Sequence, residues 1–330
     1  MVAPSGGEKD TSPPEIIRWQ IENKKSGLVL SFEFDEYIQF ANWQENFFIS
    51  PPLLNGNIKR KIHEKTLMIN INDSIQKNKR YHVNLTNCIK DFNEGNLSSK
   101  LEHVFSINES TDTFSLKGVV KDAYNAKVLN GVWVLIFKEN INDSLIFYSQ
   151  PNYISKTNSL GEFCFPNLSY EKYKLFALSG NDLFYHAEEK IGFLNSLITP
   201  TYDSLITLTL FDPNIIPVQS KDSLFLDTLN LMSENTGIIS INSKISTPAI
   251  FELIKNDLVI KSFYFKKPPF ILKNIPPDTY KLKYIYDKNY DKEWTTGSWK
   301  KQKQPEKIKI YNNVVVRPNW NLELDWNFNE

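Results

Sequence analysis

From Ile16 onward the apolar positions recur with a period of two. Leu28, Leu30, Phe32 and Phe34 alternate up to the acidic turn Asp35-Glu36, and Leu67, Ile69 and Ile71 alternate up to Asn72-Asp73. Tyr81, Val83 and Leu85 follow the polar break from Gln76 to Lys79. Alternation over four to eight residues is the mark of a strand with one buried face. Short strands parted by turns at this spacing predict a β-sandwich. The turn formers from Asp91 to Asn96 lead to a last strand near His103–Ile107, and Asn108–Thr113 reads as a linker.

Two later segments, 107 residues apart, share one pattern. Phe165-Pro166-Asn167-Leu168 precedes Tyr173-Lys174-Leu175, and Leu272-Lys273-Asn274-Ile275 precedes Tyr280-Lys281-Leu282. In each an apolar strand ends at Asn, a polar turn follows, and alternation resumes at Tyr. A unit that occurs twice predicts a string of related small β modules.

Composition agrees with an all-β chain of tandem sandwiches. The 330 residues include 22 Phe and 15 Tyr, side chains that suit pleated, half-buried surfaces. Lys plus Arg and Asp plus Glu number 38 each, so no net field draws the chain to nucleic acid. Cys88 and Cys164 fall in different predicted modules, which excludes a disulfide framework and a four-cysteine zinc site. No run approaches the ~20 apolar residues of a membrane helix. Residues 1–14 carry Pro4, Gly6, Gly7, Pro13 and Pro14 and read as an extended leader.

Several motifs resemble known families. Pro13-Pro14, Ser31-Phe32-Glu33-Phe34-Asp35-Glu36, Ile49-Ser50-Pro51-Pro52, Asn78-Lys79-Arg80-Tyr81 and the Asp91–Asn96 loop together resemble the bacterial Ig-like domain of surface-layer proteins, over 15–110. Leu116-Lys117-Gly118-Val119-Val120, Leu129-Asn130-Gly131-Val132-Trp133, Asn158–Phe163 and Tyr173–Ala177 are similar to the carboxypeptidase regulatory-like domain, a seven-stranded, transthyretin-like sandwich, over 114–195. Residues 196–236 are expected to supply a linker or edge strands, and 237–330 a diverged β-sandwich. With the leader segment from Pro4 to Pro14 and the tail from Val316 to Glu323, the order of modules resembles a Bacteroidota envelope lipoprotein family. That resemblance implies a lipid anchor on a cysteine upstream of Val2, an outer-membrane location, other envelope or outer-membrane proteins as partners, and a third module shortened through its middle.

Candidate chemistry is sparse. No Gly-x-Ser-x-Gly elbow or Gly-rich phosphate loop is present, and neither cysteine has a motif histidine, so no enzyme is expected. His82 takes the polar phase of its strand and is expected to face water. Asp287, Asn289 and Asp291 place oxygen side chains at alternate positions, as the start of a Ca2+ loop does. Against that, Lys292 stands where the loop glycine belongs and Ser298 where the closing Glu belongs, so a solvated turn is the competing reading. Tyr290, Trp294, Trp299, Lys300 and Lys301 offer cations and rings suited to anionic or glycan partners, or a basic face above core aromatics. The stripe Trp320, Leu322, Leu324, Trp326 and Phe328 is a last core strand or a docking edge. Asp-Ser/Thr-aliphatic triplets at 73, 143, 203, 222 and 227 resemble O-glycan acceptors of exported proteins, and equally start turns. The function expected is a non-catalytic scaffold in an envelope assembly, with a glycan- or ion-binding surface protein as the alternative.

Overall fold

Period-two alternation becomes sheet throughout a computed structural model that describes residues 9–24, 27–53, 57–108, 113–143, 145–201, 205–215, 235–243 and 248–326. The helical elements among them are one α-turn, α1 (Trp43–Asn46), and one 3-10 turn at Ile146–Tyr148. Three sandwich modules follow one another along the chain.

The first holds β1 (Ile16–Lys24), β2 (Gly27–Phe34), β3 (Ile38–Phe40), β4 (Phe48–Ser50), β5 (Ile58–His63), β6 (Thr66–Ile71), β7 (Tyr81–Asn84), β8 (Ile89–Asp91) and β9 (Glu102–Phe105). They form a four-stranded sheet ordered β1-β2-β6-β5, a β4-β7-β9 sheet and a β3-β8 pair. The alternating residues Leu30, Phe32, Phe34, Leu67, Ile69, Ile71, Val83 and Ile89 close its core. Asp91 is fully buried, and its carboxylate accepts the backbone N–H groups of Glu94, Gly95 and Asn96, which fixes the loop read from sequence as turn formers.

The second holds β10 (Phe114–Asp122), β11 (Trp133–Lys138), β12 (Tyr153–Lys156), β13 (Glu162–Leu168), β14 (Tyr173–Leu178), β15 (Ile191–Phe193) and β16 (Leu205–Leu210). The third holds β17 (Gly237–Asn242), β18 (Ala249–Lys255), β19 (Leu258–Phe265), β20 (Phe270–Ile275), β21 (Asp278–Tyr286), β22 (Ile308–Val316) and β23 (Asn321–Asp325). Their topologies are the same. Sheet β13-β10-β16 matches β20-β17-β23, sheet β12-β11-β14-β15 matches β19-β18-β21-β22, and the parallel pairs β10/β16 and β17/β23 correspond. Every strand of the second module has a counterpart in the third, so the shortening implied by the envelope family leaves no strand of this topology missing. The stretch expected as linker or edge strands supplies β16, an edge of the β10 sheet.

The repeated motif has a physical cause. Asn167 and Asn274 sit in the left-handed region at φ 60° and 57°, where Asn is among the few side chains tolerated. Each lies at a β-bulge, where the register against β10 or β17 jumps. The bulge turns Leu168 and Ile275 into their cores, both fully buried. Five residues beyond them the Tyr173 hydroxyl donates to the Ser169 carbonyl at 3.1 Å, and the Tyr280 hydroxyl to the Pro276 carbonyl at 3.0 Å. The corner is thus tied twice in the same way. Gly118 is required for close approach, because a Cβ there would lie 2.3 Å from the Ile206 carbonyl oxygen of β16.

Candidate functional site

Sheet β12-β11-β14-β15 is covered on both faces. Val134, Ile136, Leu175 and Ala177 point into the module's own core, while Trp133, Leu135, Phe176 and Leu178 join a second cluster on the outer face. That cluster also takes Phe48 from the first module and Ile250, Ile285 and Trp294 from the third. The cover from the third module comes from Ile250 and Ile285 on its strands and from Trp294 and Trp299 in the loop between β21 and β22, residues 287–307. Trp299 packs edge-on against Phe176 and Phe193, each at 4.9 Å between ring centroids. Thr296 Oγ1 donates to the Asp212 carbonyl at 2.7 Å, and Gln304 Nε2 donates to the Phe193 carbonyl at 2.9 Å. Gly297 lies against the Phe211 ring with no room for a Cβ.

The same loop gathers three acids. Ligand oxygens of Asp287, Asp291 and Glu306 lie within 4.8 Å of one another, the one such gathering of His, Cys, Asp or Glu side chains among the described residues. Asp287 is fully buried and Glu306 nearly so, while Asp291 is open to solvent. Glu306 is held by the Lys288 N–H at 2.8 Å on one oxygen and the Thr295 N–H at 3.0 Å on the other. Asp287 Oδ2 accepts the Lys292 N–H at 3.1 Å, but its Oδ1 is buried with no hydrogen-bond partner. Burial first, then the Asp287 charge, raise the Tyr264 phenol, which also lies close enough to the Asp287 carboxylate for a hydrogen bond between them to add to the rise, although no donor meets Oδ1 in good geometry. Burial first, then the charges of Asp287 and Asp291, push Glu306 above the ordinary carboxyl range despite its two backbone donors. For Asp291 burial is the largest influence and acts upward, yet donors from Glu293, Thr295 and Asn289, together with the Lys303 charge, outweigh it and leave the group lowered. Two unit charges about 5 Å apart at an effective dielectric near 20 repel by about 3 kcal/mol, which the Lys303 charge acting on Asp291 offsets only from outside ion-pair distance. Among the described residues, none of the three is in an ion pair.

Of the residues singled out from sequence, Asp287 and Asp291 reach this cluster and Asn289 supports it. The Asn289 amide donates to Asp291 Oδ2 at 2.6 Å and to Thr295 Oγ1 at 2.7 Å, orienting the carboxylate. Glu306 was not anticipated. It sits 15 residues beyond Asp291, and only the return of the loop, sealed by the Trp294 indole N–H donating to the Glu306 carbonyl at 3.0 Å, brings it there.

The proposed ring-and-cation surface is corrected. Trp294 is buried against Tyr124, and Trp299 is half-buried against the second module, so neither presents a stacking face. Tyr290, Lys300 and Lys301 remain exposed without the tryptophans. His82 is corrected too. It is buried, with Nε2 3.0 Å from Glu102 Oε2 and its ring against Phe48, because the face of β7 expected to meet water lies toward the second module. In the terminal stripe, Leu324 and Trp326 join the third core, Trp320 is exposed, and Phe328 lies outside the described residues. Asp73-Ser74-Ile75 lies at the surface, and the hydroxyl residues of the triplets at 143, 203, 222 and 227 lie outside the described residues, as do residues 1–8 of the leader.

A second buried polar group marks the same junction. Glu252 and Lys283 are direct cross-strand partners on the outer face of β18 and β21. Lys283 Nζ lies 3.1 Å from Glu252 Oε2, an ion pair whose angle falls outside hydrogen-bond geometry, and 3.1 Å from the Tyr124 ring centroid. Tyr124 is aimed there by Asp122, whose Oδ1 accepts the Tyr124 and Asn125 N–H groups. Burial pulls the Lys283 ammonium below its ordinary pKa, against the opposing pull of Glu252.

These features define a protein of tandem immunoglobulin-like β-sandwich modules. Residues 10–107 match the family described as the bacterial Ig-like domain, Big_5. Among curated proteins no match is found. Among solved structures the chain is similar to the Bacillus anthracis TIE protein, with 11% identity and a TM-score of 0.22 over 99% of this chain and 59% of that one. It is also similar to the major pilin subunit of Bacillus cereus, with 10% identity and a TM-score of 0.22 over 60% and 70% of the two chains. A third is the Escherichia coli alpha-2-macroglobulin fragment spanning domains MG0-NIE-MG1, with 9% identity and a TM-score of 0.24 over 91% and 96%. This chain thus spans less than two thirds of the Bacillus anthracis protein.

Proposed function

We propose that the chain is a non-catalytic structural subunit, a three-module spacer that scaffolds an envelope assembly at the outer membrane through a lipid anchor upstream of Val2. The observation that carries this reading is the apolar cluster shared by all three modules, in which Phe48, Trp133, Phe211, Ile250 and Trp294 are buried together. Burying one such side chain is worth about 1.5–3 kcal/mol, so swinging either end module away would expose several at once. The first junction adds a hydrogen bond from the Ile154 N–H to Ser50 Oγ at 3.0 Å and one from Arg80 to Asn167 Oδ1 at 3.2 Å. A fixed series of sandwiches presents a long surface, which suits holding partners in register.

The anchor and the membrane rest on the leader and tail motifs, and metabolic labelling with a fatty acid tests them. The assembly is tested by isolating the native form in mild detergent at its natural abundance. The expected result is co-elution with envelope proteins in stoichiometric amounts. Elution as a lone chain refutes the scaffold.

A further inference from the structure

We propose that Asp287, Asp291 and Glu306 hold one hard divalent cation, Ca2+ in preference to Mg2+, and that the ion locks the 287–307 loop onto the second module. The inference is independent of the scaffold reading, since the site would bind its ion whatever partners the chain has.

Two observations point to the ion separately. The first is the donor set. Oxygens within 4.8 Å of one another can share one ion, because Ca2+ holds its oxygen ligands at about 2.3–2.6 Å and two on opposite sides stand about twice that apart. The donors are all carboxylate, with no histidine or cysteine among them, which favours a hard ion over zinc or copper. The exposed side at Asp291 leaves room for water to complete a shell of six to eight ligands, a count that suits Ca2+ better than Mg2+ with its strict octahedron. The second is Asp287 Oδ1, buried and without a hydrogen-bond partner. Buried carboxylate oxygens are otherwise nearly always satisfied, and the amides here are engaged on the other oxygen and on Glu306. Lys292 Nζ lies 5.6 Å over the Tyr264 ring, and the Lys303 charge acts on the exposed Asp291 without forming an ion pair with any of the three acids.

The consequence for the junction follows from the path of the loop. Residues 287 and 306 are its two ends, and between them lie Thr296, Gly297 and Trp299, the contacts to the second module. An ion that ties the ends together fixes the span that carries the docking groups. The loop of the second module at the corresponding place, between β14 and β15, forms no such cluster among the described residues.

The experiment is calorimetry on the full chain, freed of metal by chelator, titrated with CaCl2 and in a parallel arm with MgCl2. Binding of one Ca2+ per chain is expected, with a dissociation constant on the order of 10⁻⁴ M, the range of extracellular modules, and with weaker heat from Mg2+. Asp291→Asn tests the assignment at an exposed ligand, and because Asp291 also accepts from Glu293, Thr295 and Asn289, a metal-free melting midpoint equal to wild type certifies its fold. Its Ca2+ affinity should fall at least about tenfold. Limited proteolysis reads the junction, with wild type cut within 287–307 more slowly in Ca2+ than in chelator and Asp291→Asn cut equally in both. Absence of heat at about 10 mM Ca2+, undiminished binding by Asp291→Asn, or Mg2+ binding as tight as Ca2+ would overturn the assignment. Binding without any change in cleavage would overturn the lock.

Discussion

Replacing Lys283 with Met removes one half of a buried ion pair at the second junction, and the cost can be worked from the geometry. The Lys283 side chain is 2% exposed and that of Glu252 12% exposed, so little water can stand in for the lost ammonium. Breaking such a pair from one side costs about 3–5 kcal/mol, because a charge is left without its partner. The cation–π contact with Tyr124 goes as well, worth about 2 kcal/mol when desolvated, while the Met side chain retains much of the apolar contact. A loss of about 3–5 kcal/mol at pH 7 is therefore expected for Lys283→Met, read by urea titration followed through tryptophan emission. The double variant Lys283→Met with Glu252→Gln removes both charges and should recover most of the loss. A penalty under about 1 kcal/mol, or a double variant as unstable as Lys283→Met alone, would show that the pair is solvated and the reasoning wrong.

Two further outcomes follow from single contacts. Burial lowers the His103 imidazole, which packs 4.1 Å from Trp19 and 5.3 Å from Phe32, so the unfolded chain takes up the proton first as pH falls. Stability tied to His103 is thus present above about pH 6.5 and lost below it, and His103→Phe should flatten the fall in melting midpoint between pH 7 and pH 5; an unaltered slope would rule this out. Tyr280→Phe and Tyr173→Phe each delete a hydroxyl tied to a corner carbonyl, and each should cost about 1 kcal/mol in urea titrations, with values within a factor of two of each other; markedly unequal losses would deny the two corners a common role.

What could be read beforehand was whatever is local. Leu28–Phe34 and Leu67–Ile71 declare one buried face by alternation, and both enter the first core on that phase. The Asn167 and Asn274 motif was visible as a repeat, although its cause, a left-handed residue at a bulge, is a backbone property that letters do not display. The misreadings share one origin. His82, Trp294 and Trp299 lie where another module covers them, and neither the phase of one strand nor the composition of one loop can know that. A signal was nevertheless present. Val132–Phe137 is a continuous apolar run and Tyr173–Leu178 nearly so, the pattern of a strand buried on both faces, and it foretold that something must cover the outer side of β11 and β14. Glu306 escaped for a related reason, since its closeness to Asp287 depends on a closed loop and no short spacing encodes that.

The second and third modules repeat one topology, so the place where they differ shows what the third was adapted to do. Their corner motifs, bulges and parallel edge strands coincide, whereas the connection after the strand that begins Tyr-Lys-Leu does not. In the second module it spans 179–190 and reaches the short β15, and in the third it spans 287–307 before the nine-residue β22. The added length places Trp294 and Trp299 on the outer face of β11, β14 and β15, which would otherwise expose Leu135, Phe176 and Phe193. Loops of this length are costly to order unless something fixes them. Here the fixing groups are the docked rings at the centre and, at the ends, Glu306, whose carboxylate accepts the Lys288 and Thr295 N–H groups and whose carbonyl accepts the Trp294 indole N–H. A module copied without that loop would still bring Ile250 and Ile285 to the outer face of the second sandwich but would leave Phe176 and Phe193 without the Trp299 ring, so the loop completes a layer that the strands of the third module begin.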